Sequence, residues 1–426
     1  MDVEHVFVGF GFGPIQAGLF AKEARDSGRF SEIVVSEVDP ALVAAMRGNG
    51  NRYALNIAYA DGVKVVSIDG VELLNPGDAG DLRKLQQTLA RATEVVTSLP
   101  SVAFFARGAN NVAQLLAAGL VGRQAAQTVV YTAENNNHAA EILEADVQAA
   151  TPAGAVHRPV QMLNTVIGKM SQVINDPAEI ARRGLTPIVP GFPRAFLVEA
   201  FNRILVTQIR LPGFAPGITA FEQKEDLLPF EEAKLFGHNA AHTMLGFLGE
   251  ACGFELLSDL VQKPGAIEQL RKAFVDESGA ALVAKYARLG DPLFTPEGFR
   301  FYAEDLIQRM TNPHLADTVA RATRDPLRKL GASDRLFGAL RLCLAHDVEP
   351  ASWAVGALAG LRSLAARPEK PASPLFEALR RGQSLSVDEF GELLRSLWGE
   401  AVSRDEVARI GGLLAAAQPQ LNGWLG

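Results

Sequence analysis

A glycine-rich turn between a strand and a helix constrains this chain more than any other feature. Val6 to Val8 read as a short buried strand, followed by GFGFGPIQAGLFAKEARDSG, a turn that feeds an apolar helix. Its frame is Gly11-x-Gly13-x-x-Gln16-x-Gly18. Small residues let the backbone approach a pyrophosphate, and the helix N-terminus attracts its charge. Gln16 stands where the usual fingerprint has a third glycine. Ile33 to Ser36 read as a second strand, with Glu37 directly after it. An acid there, roughly 20–25 residues past the glycines, can accept from both ribose hydroxyls of an adenosine. Its charge repels a 2′-phosphate, so NAD is expected rather than NADP. This succession predicts an α/β chain that opens with a Rossmann-like dinucleotide-binding domain.

The segment NRYALNIAYADGVKVVSIDGVELLN alternates with a period of two and carries Asp61-Gly62 and Asp69-Gly70, which predicts an antiparallel excursion with hairpin turns. A helix is expected over Asp81–Ala92, then a buried strand ending at Thr97 and Ser98. Strand ends of this kind face the cofactor in an open α/β sheet. After a helix at Asn111–Ala118, the strand at Thr128–Asn137 ends in Glu134-Asn135-Asn136-Asn137-His138. One of Asn136 and Asn137 is expected to cap the helix that starts near His138, and Asn135 to serve the site. RPVQMLNTVIGKM brings Asn164 and Lys169. Residues 1–200 are expected to form the Rossmann-like domain. Residues 201–426 are expected to be mostly α-helical, with a proline-rich loop at 366–374 and additional helices over 375–426.

Inside that helical half lies EEAKLFGHNAAHTMLGFLGE, Glu231 to Glu250. At roughly 100° per residue, Asn239 stands about 140° around from Lys234 and His242 about 80°. All three fit one arc, with His238 beside Lys234. A lysine on a partly buried face loses solvation and its pKa falls, which suits a base near neutral pH. The bland alternative is an amphipathic helix with a snorkelling lysine and a hydrogen-bonded histidine.

Composition excludes several classes. A net charge of −7 over 426 residues argues against a general nucleic-acid binder. Two isolated cysteines, Cys252 and Cys343, imply neither a disulfide framework nor a structural zinc site. The opening MDVEHVFVGFGFG lacks a basic n-region, and no apolar run reaches the roughly 18 residues of a span. A soluble cytoplasmic protein is expected, with no membrane partner. One basic run stands out: Arg321, Arg324, Arg328 and Lys329 fall within nine residues. Arginine forks fit carboxylate or phosphate oxygens. The alternative is a solvated helix end paired to Asp317, Asp325 and Asp334, and spacing alone leaves both open.

Taken together, several blocks resemble the polyol-specific long-chain dehydrogenases, the mannitol dehydrogenase family. They are Gly11–Gly18 with Ile15, Glu37, Glu134-Asn135, Asn164, the Lys234/Asn239/His242 set, and NPHLADTVARATRDPLRKL from Asn312 to Leu330. Arg324-Asp-Pro-Leu-Arg328-Lys329-Leu330 is similar to the family's mannitol-1-phosphate 5-dehydrogenase branch. The resemblance implies a metal-independent reaction with Lys234 as general base, Asn135 and Asn239 polarising the substrate oxygen, and His242 binding substrate. It implies NAD contacts from Gly11, Gly13, Ile15, Gln16, Glu37, Thr97, Glu134 and Asn164. Substrate or phosphate would meet Arg321, Arg324, Arg328 and Lys329. Where the family has N-S-x-V-D-R, this chain has Asn164-Thr-Val-Ile-Gly168-Lys169, without the carboxylate. Residues beyond the proline-rich break match no block of the family.

Three functions follow as expectations. The first is an NAD-dependent dehydrogenase interconverting a sugar-alcohol phosphate and its ketose or aldose phosphate. The second keeps the chemistry but takes a free polyol, a hexonate or a specialised metabolite. The third is a non-catalytic NAD(H)-binding sensor or scaffold. Family members are often monomers, which is the expected state here.

Overall fold

In the computed structural model, residues 5–121, 127–155 and 158–425 are described. The chain divides into two units, Met1–Leu228 and Pro229–Gly426.

The first unit is built on strands β1 (His5–Phe10), β2 (Phe30–Ser36), β3 (Tyr53–Tyr59), β4 (Gly62–Ile68), β5 (Val71–Leu74), β6 (Glu94–Thr97), β7 (Thr128–Thr132), β8 (Val160–Ile167), β9 (Ser171–Ile174), β10 (Ala195–Glu199), β11 (Ile204–Thr207) and β12 (Phe221–Lys224). One sheet runs β12-β11-β8-β7-β6-β1-β2-β5 among the described residues. From β5 through β2, β1, β6 and β7 to β8 every pairing is parallel. That is the order of the Rossmann fold, which reverses direction between β1 and β6. Its strands are buried on both faces. Phe7, Val35 and Val96 join one core cluster, and Val8, Val34 and Val95 join the other.

Helices α1 (Ala21–Ser27), α2 (Pro40–Gly48), α3 (Ala79–Leu89), α4 (Val112–Leu120), α5 (Ala139–Ala150) and α6 (Pro177–Arg182) belong to the same unit. Their starts are written locally. The Asp39 and Asp78 side chains accept from backbone N–H groups of the first turns of α2 and α3, and Asn111 with Gln114 forms a capping box on α4. Arg158 closes the other end of α3, donating to the carbonyls of Leu89 and Ala90.

Two expectations are corrected in this unit. Asp61-Gly62 does turn between antiparallel β3 and β4. Asp69-Gly70 does not make a hairpin, because β4 lies in a second sheet, β4-β3-β10-β9, while β5 pairs with β2. The unit also runs past residue 200 to Leu228, since β11 and β12 extend the main sheet. Each has only four residues, too short for periodicity to separate from helix.

The second unit is helical: α7 (Leu228–Ala233) at its start, then α8 (Ala240–Ala251), α9 (Ala266–Arg271), α10 (Ala280–Tyr286), α11 (Pro296–Met310), α12 (Val319–Thr323), α13 (Pro326–Lys329), α14 (Arg335–Ala345), α15 (Ala351–Ala365), α16 (Pro374–Arg380), α17 (Val387–Trp398) and α18 (Arg404–Leu425). The almost fully buried α15 has no side-chain cap of its own. Glu277 supplies one from elsewhere in the chain, accepting from Ser352 N at 2.7 Å and Trp353 N at 3.0 Å.

Candidate functional site

In the first unit the glycine turn leaves the carboxyl end of β1 at the switch point. Gly11 has φ +81°, and a β-carbon there would meet the Ser98 carbonyl oxygen at 2.8 Å. A glycine is therefore required on both backbone and steric grounds. Above Gly13 a β-carbon would meet nothing within 4 Å, so the turn is open on that side. Ile15 is half-buried, and Gln16 is fully buried, packed against Gly9 rather than facing the turn.

Glu37 stands at the end of β2. Its carboxylate accepts from Phe12 N at 2.9 Å and Asp39 N at 2.8 Å, tying the glycine turn to the start of α2. Val38 beside it is 76 % exposed, an apolar surface next to the acid that sequence reasoning passed over. The openness above Gly13 and the acid at the end of β2 fit a dinucleotide without a 2′-phosphate.

Three other expected cofactor residues are engaged within the protein. Thr97 is buried and donates to Glu134 Oε2 at 2.8 Å, while Leu99 N donates to Oε1 at 2.8 Å. Glu134 thus ties the ends of β6 and β7 together. Desolvation raises its carboxyl pKa. Asn164 accepts from Ala140 N at 2.8 Å and donates to Glu141 at 2.9 Å, fixing the start of α5. Asn135 is exposed, with no hydrogen bond among the described residues. Asn136 accepts from His138 N at 2.8 Å in the turn before α5, but the expected asparagine cap is not made: His138 stands at the N-cap of α5 with no side-chain cap hydrogen bond. Lys169 is buried and donates to the carbonyls of Glu199 and Phe201 and to Asn202.

In the second unit, Lys234 to Asn239 form a π-helical turn between α7 and α8. Ala240 N donates to Leu235 O, an i→i+5 closure. This corrects the regular α-helical arc expected from spacing. The wider turn brings Asn239, five residues on, back toward the side of Lys234. Gly237 lies against the Phe274 ring.

The Lys234 ammonium makes no hydrogen bond or ion pair among the described residues. Burial lowers its pKa to about 8, opposed by Glu231 and assisted by the Arg335 cation. His238 is buried, and desolvation first, then nearby Arg309, hold its ring well below the usual histidine pKa. The Asn239 amide is unengaged among the described residues. His242 meets Asp317 at 2.7 Å.

The basic run does not present four free cations. Arg321 pairs with Asp317 at 2.8 Å, and Arg328 with Asp325 at 2.6 Å and Asp334 at 3.3 Å. Lys329 is buried and donates to Ala322 O at 2.6 Å; burial, then Arg335, lowers its pKa to about 8. Arg324 is exposed and lines an open groove of about 810 Å³ with Glu250, Phe254, Glu255 and Arg367. Arg335, at the start of α14, was missed by sequence reasoning. Only folding brings it within electrostatic reach of Lys234 and Lys329.

Residues 226–374 match the family model of the mannitol dehydrogenase C-terminal domain. The whole chain superposes on two solved structures. One is a substrate-free D-sorbitol dehydrogenase (TM-score 0.76, 15 % identity, covering 100 % of this chain and 96 % of that one). The other is the mannitol 2-dehydrogenase of Pseudomonas fluorescens in a ternary complex with NAD and D-mannitol (TM-score 0.66, 16 % identity, covering 99 % and 92 %). Residues 226–374 thus match the mannitol dehydrogenase C-terminal domain, and the chain shares its fold with these two dehydrogenase structures. The segment matched to the mannitol dehydrogenase C-terminal domain contains Lys234, Asn239, His242, Asp317 and the basic run, and stops where α16 begins.

Proposed function

We propose that this chain is an NAD-dependent dehydrogenase that interconverts a sugar alcohol and the corresponding ketose or aldose, with Lys234 as the general base. The observation that carries the proposal is the unpaired Lys234 ammonium with its pKa lowered to about 8, on the π-helical turn that also bears the unengaged Asn239 amide. Bound NAD supplies the hydride acceptor. Glu37 receives the adenosine ribose and its charge disfavours a 2′-phosphate. Neutral Lys234 takes the proton of the carbinol hydroxyl as C–H cleavage proceeds, and returns it in the reverse direction. Asn239 is an amide donor for the oxygen as charge develops. His242 holds a neighbouring part of the substrate.

The finer reading is a phosphorylated sugar alcohol. It is supported by the Arg324–Leu330 pattern and by the density of cations around Lys329, whose pKa is lowered by Arg335, Arg328 and Arg324 after burial. A free polyol is the second reading, favoured by the pairing of Arg321 and Arg328 with aspartates of the same segment. NADH oxidation against ketoses and aldoses, each with and without phosphate and led by fructose 6-phosphate, separates the two. Turnover of the phosphorylated members alone supports the first, and turnover of unphosphorylated members the second. NADH binding with no turnover across the panel would overturn the dehydrogenase assignment.

A further inference from the structure

Asp317 is shared by two side chains expected at the substrate. His242 Nε2 lies 2.7 Å from Oδ2, and Arg321 Nη1 donates to Oδ1 at 2.8 Å. The Asp317 side chain has no exposed surface. Burial works against its ionisation, but the His242 hydrogen bond and the Arg321 charge hold its carboxyl below the usual range. An ionised carboxylate only accepts, so Nε2 is the donor, and in the neutral ring Nδ1 is left as an acceptor.

The backbone aims this carboxylate. Ala316, the preceding residue, has φ +47°, a left-handed conformation that costs a residue with a β-carbon. The backbone that follows is pinned: Leu257 N donates to Asp317 O at 2.9 Å, and Val319 N donates to Glu255 O at 2.9 Å. Strain of this kind persists only where the surroundings over-determine it.

We propose that Asp317 is a positioning residue that makes His242 an acceptor toward a substrate hydroxyl and holds Arg321 alongside. The proposal deepens, and rests on, the sugar-alcohol reading above. It gives the substrate class a requirement: a hydroxyl beside the reacting carbon that donates to Nδ1. An asparagine cannot replace the carboxylate, because its amide offers one acceptor oxygen where two are in use.

The test uses the full chain, its Asp317→Asn and Asp317→Glu variants, and NADH. Nitrogen-15 NMR of histidine-labelled protein near pH 8, assigned by the signal missing in His242→Asn, reports the His242 tautomer. The Nε2–H form is expected in the wild type and a mixture in Asp317→Asn. An unchanged tautomer in Asp317→Asn overturns the proposal.

Kinetics then use the sugar alcohol of highest turnover and its analogue lacking the neighbouring hydroxyl. In the wild type the analogue is expected to raise KM by about tenfold, the loss of one hydrogen bond. In Asp317→Asn the penalty is expected to vanish while NADH affinity is unchanged, and Asp317→Glu restores part of it. A full penalty in Asp317→Asn also overturns the proposal. If no sugar alcohol is turned over, the functional reading fails, and the tautomer measurement still decides the role of Asp317. Should Asp317→Asn not fold, Asp317→Glu supports both measurements: a longer carboxylate keeps the tautomer but moves the ring, so KM for the normal substrate rises, and an unmoved KM overturns the proposal.

Discussion

The side-chain amide of Gln16 occupies the space above Gly9, where a β-carbon would lie 2.0 Å from Nε2. The third glycine of a dinucleotide fingerprint normally lets the helix pack closely on the strand. Here the glycine has moved to the strand, and the helix carries the larger side chain. Gln16 has no exposed surface, and neither polar atom finds a partner among the described residues. A buried group of this kind costs about 1–3 kcal/mol. Gln16→Met is therefore expected to raise the thermal midpoint. Gly9→Ala forces the amide aside and is expected to cost about 1–3 kcal/mol. Scanning calorimetry of both variants checks this, and a lower midpoint for Gln16→Met would show that the amide has a partner.

Under the proposed mechanism Lys234 carries the pH dependence of turnover. Its conjugate acid must lose a proton before it can act as base, so kcat/KM for alcohol oxidation should rise through about pH 8 and level off above. Carbonyl reduction should show the opposite slope. Lys234→Ala is expected to lose about 10²–10⁴-fold in kcat while NADH still binds, measured by fluorescence titration. Arg335→Gln removes one cation that lowers the lysine, so the rise should move to higher pH.

Glu94 gives stability a pH dependence remote from the lysine. It is buried at the start of β6, accepting from Gly217 N at 2.5 Å and Tyr131 Oη at 3.2 Å. Desolvation raises its pKa from 4.5 to about 7. The folded chain thus holds more protons than the unfolded one between those values, so stability falls as pH rises through them and stays lower above. The difference corresponds to about 3 kcal/mol. Glu94→Gln should melt above the wild type at pH 8 and show no such gain at pH 4. A pH-independent difference in thermal midpoint would remove the desolvated carboxylate from this account.

The arginine run tests the substrate's charge. Under the phosphate reading, Arg324→Ala and Arg328→Ala should each raise KM for a phosphorylated substrate by about tenfold, the scale of one charge-assisted bond, and leave unphosphorylated substrates nearly unaffected. Steady-state kinetics on matched pairs decide it. Equal losses on both members would mean that the run is structural, as its pairs to Asp325 and Asp334 allow.

Much of the fold is local chemistry and is legible in the sequence. The glycine turn, the acid after β2 and the alternation of β3 and β4 are written within a few residues. The Lys234–Asn239–His242 set was legible for the same reason. Its geometry was not, because spacing assumes a regular helix, and the π-helical turn depends on packing around Gly237 and Phe274.

The sequence by itself determined the opening strand-turn-helix-strand succession, the dinucleotide turn and the identity of the polar side chains on the lysine helix, because these rest on short-range backbone preference and hydrophobic period. Only the tertiary structure decided which of those side chains remain free. It consumed Thr97, Glu134 and Asn164 in joining strand ends, turned Gln16 into the core, and paired Arg321 with Asp317. It brought Arg335, about a hundred residues away in sequence, into the field of Lys234. Hydrogen-bond partners and desolvation are set by which distant segments pack together, and no local pattern records them.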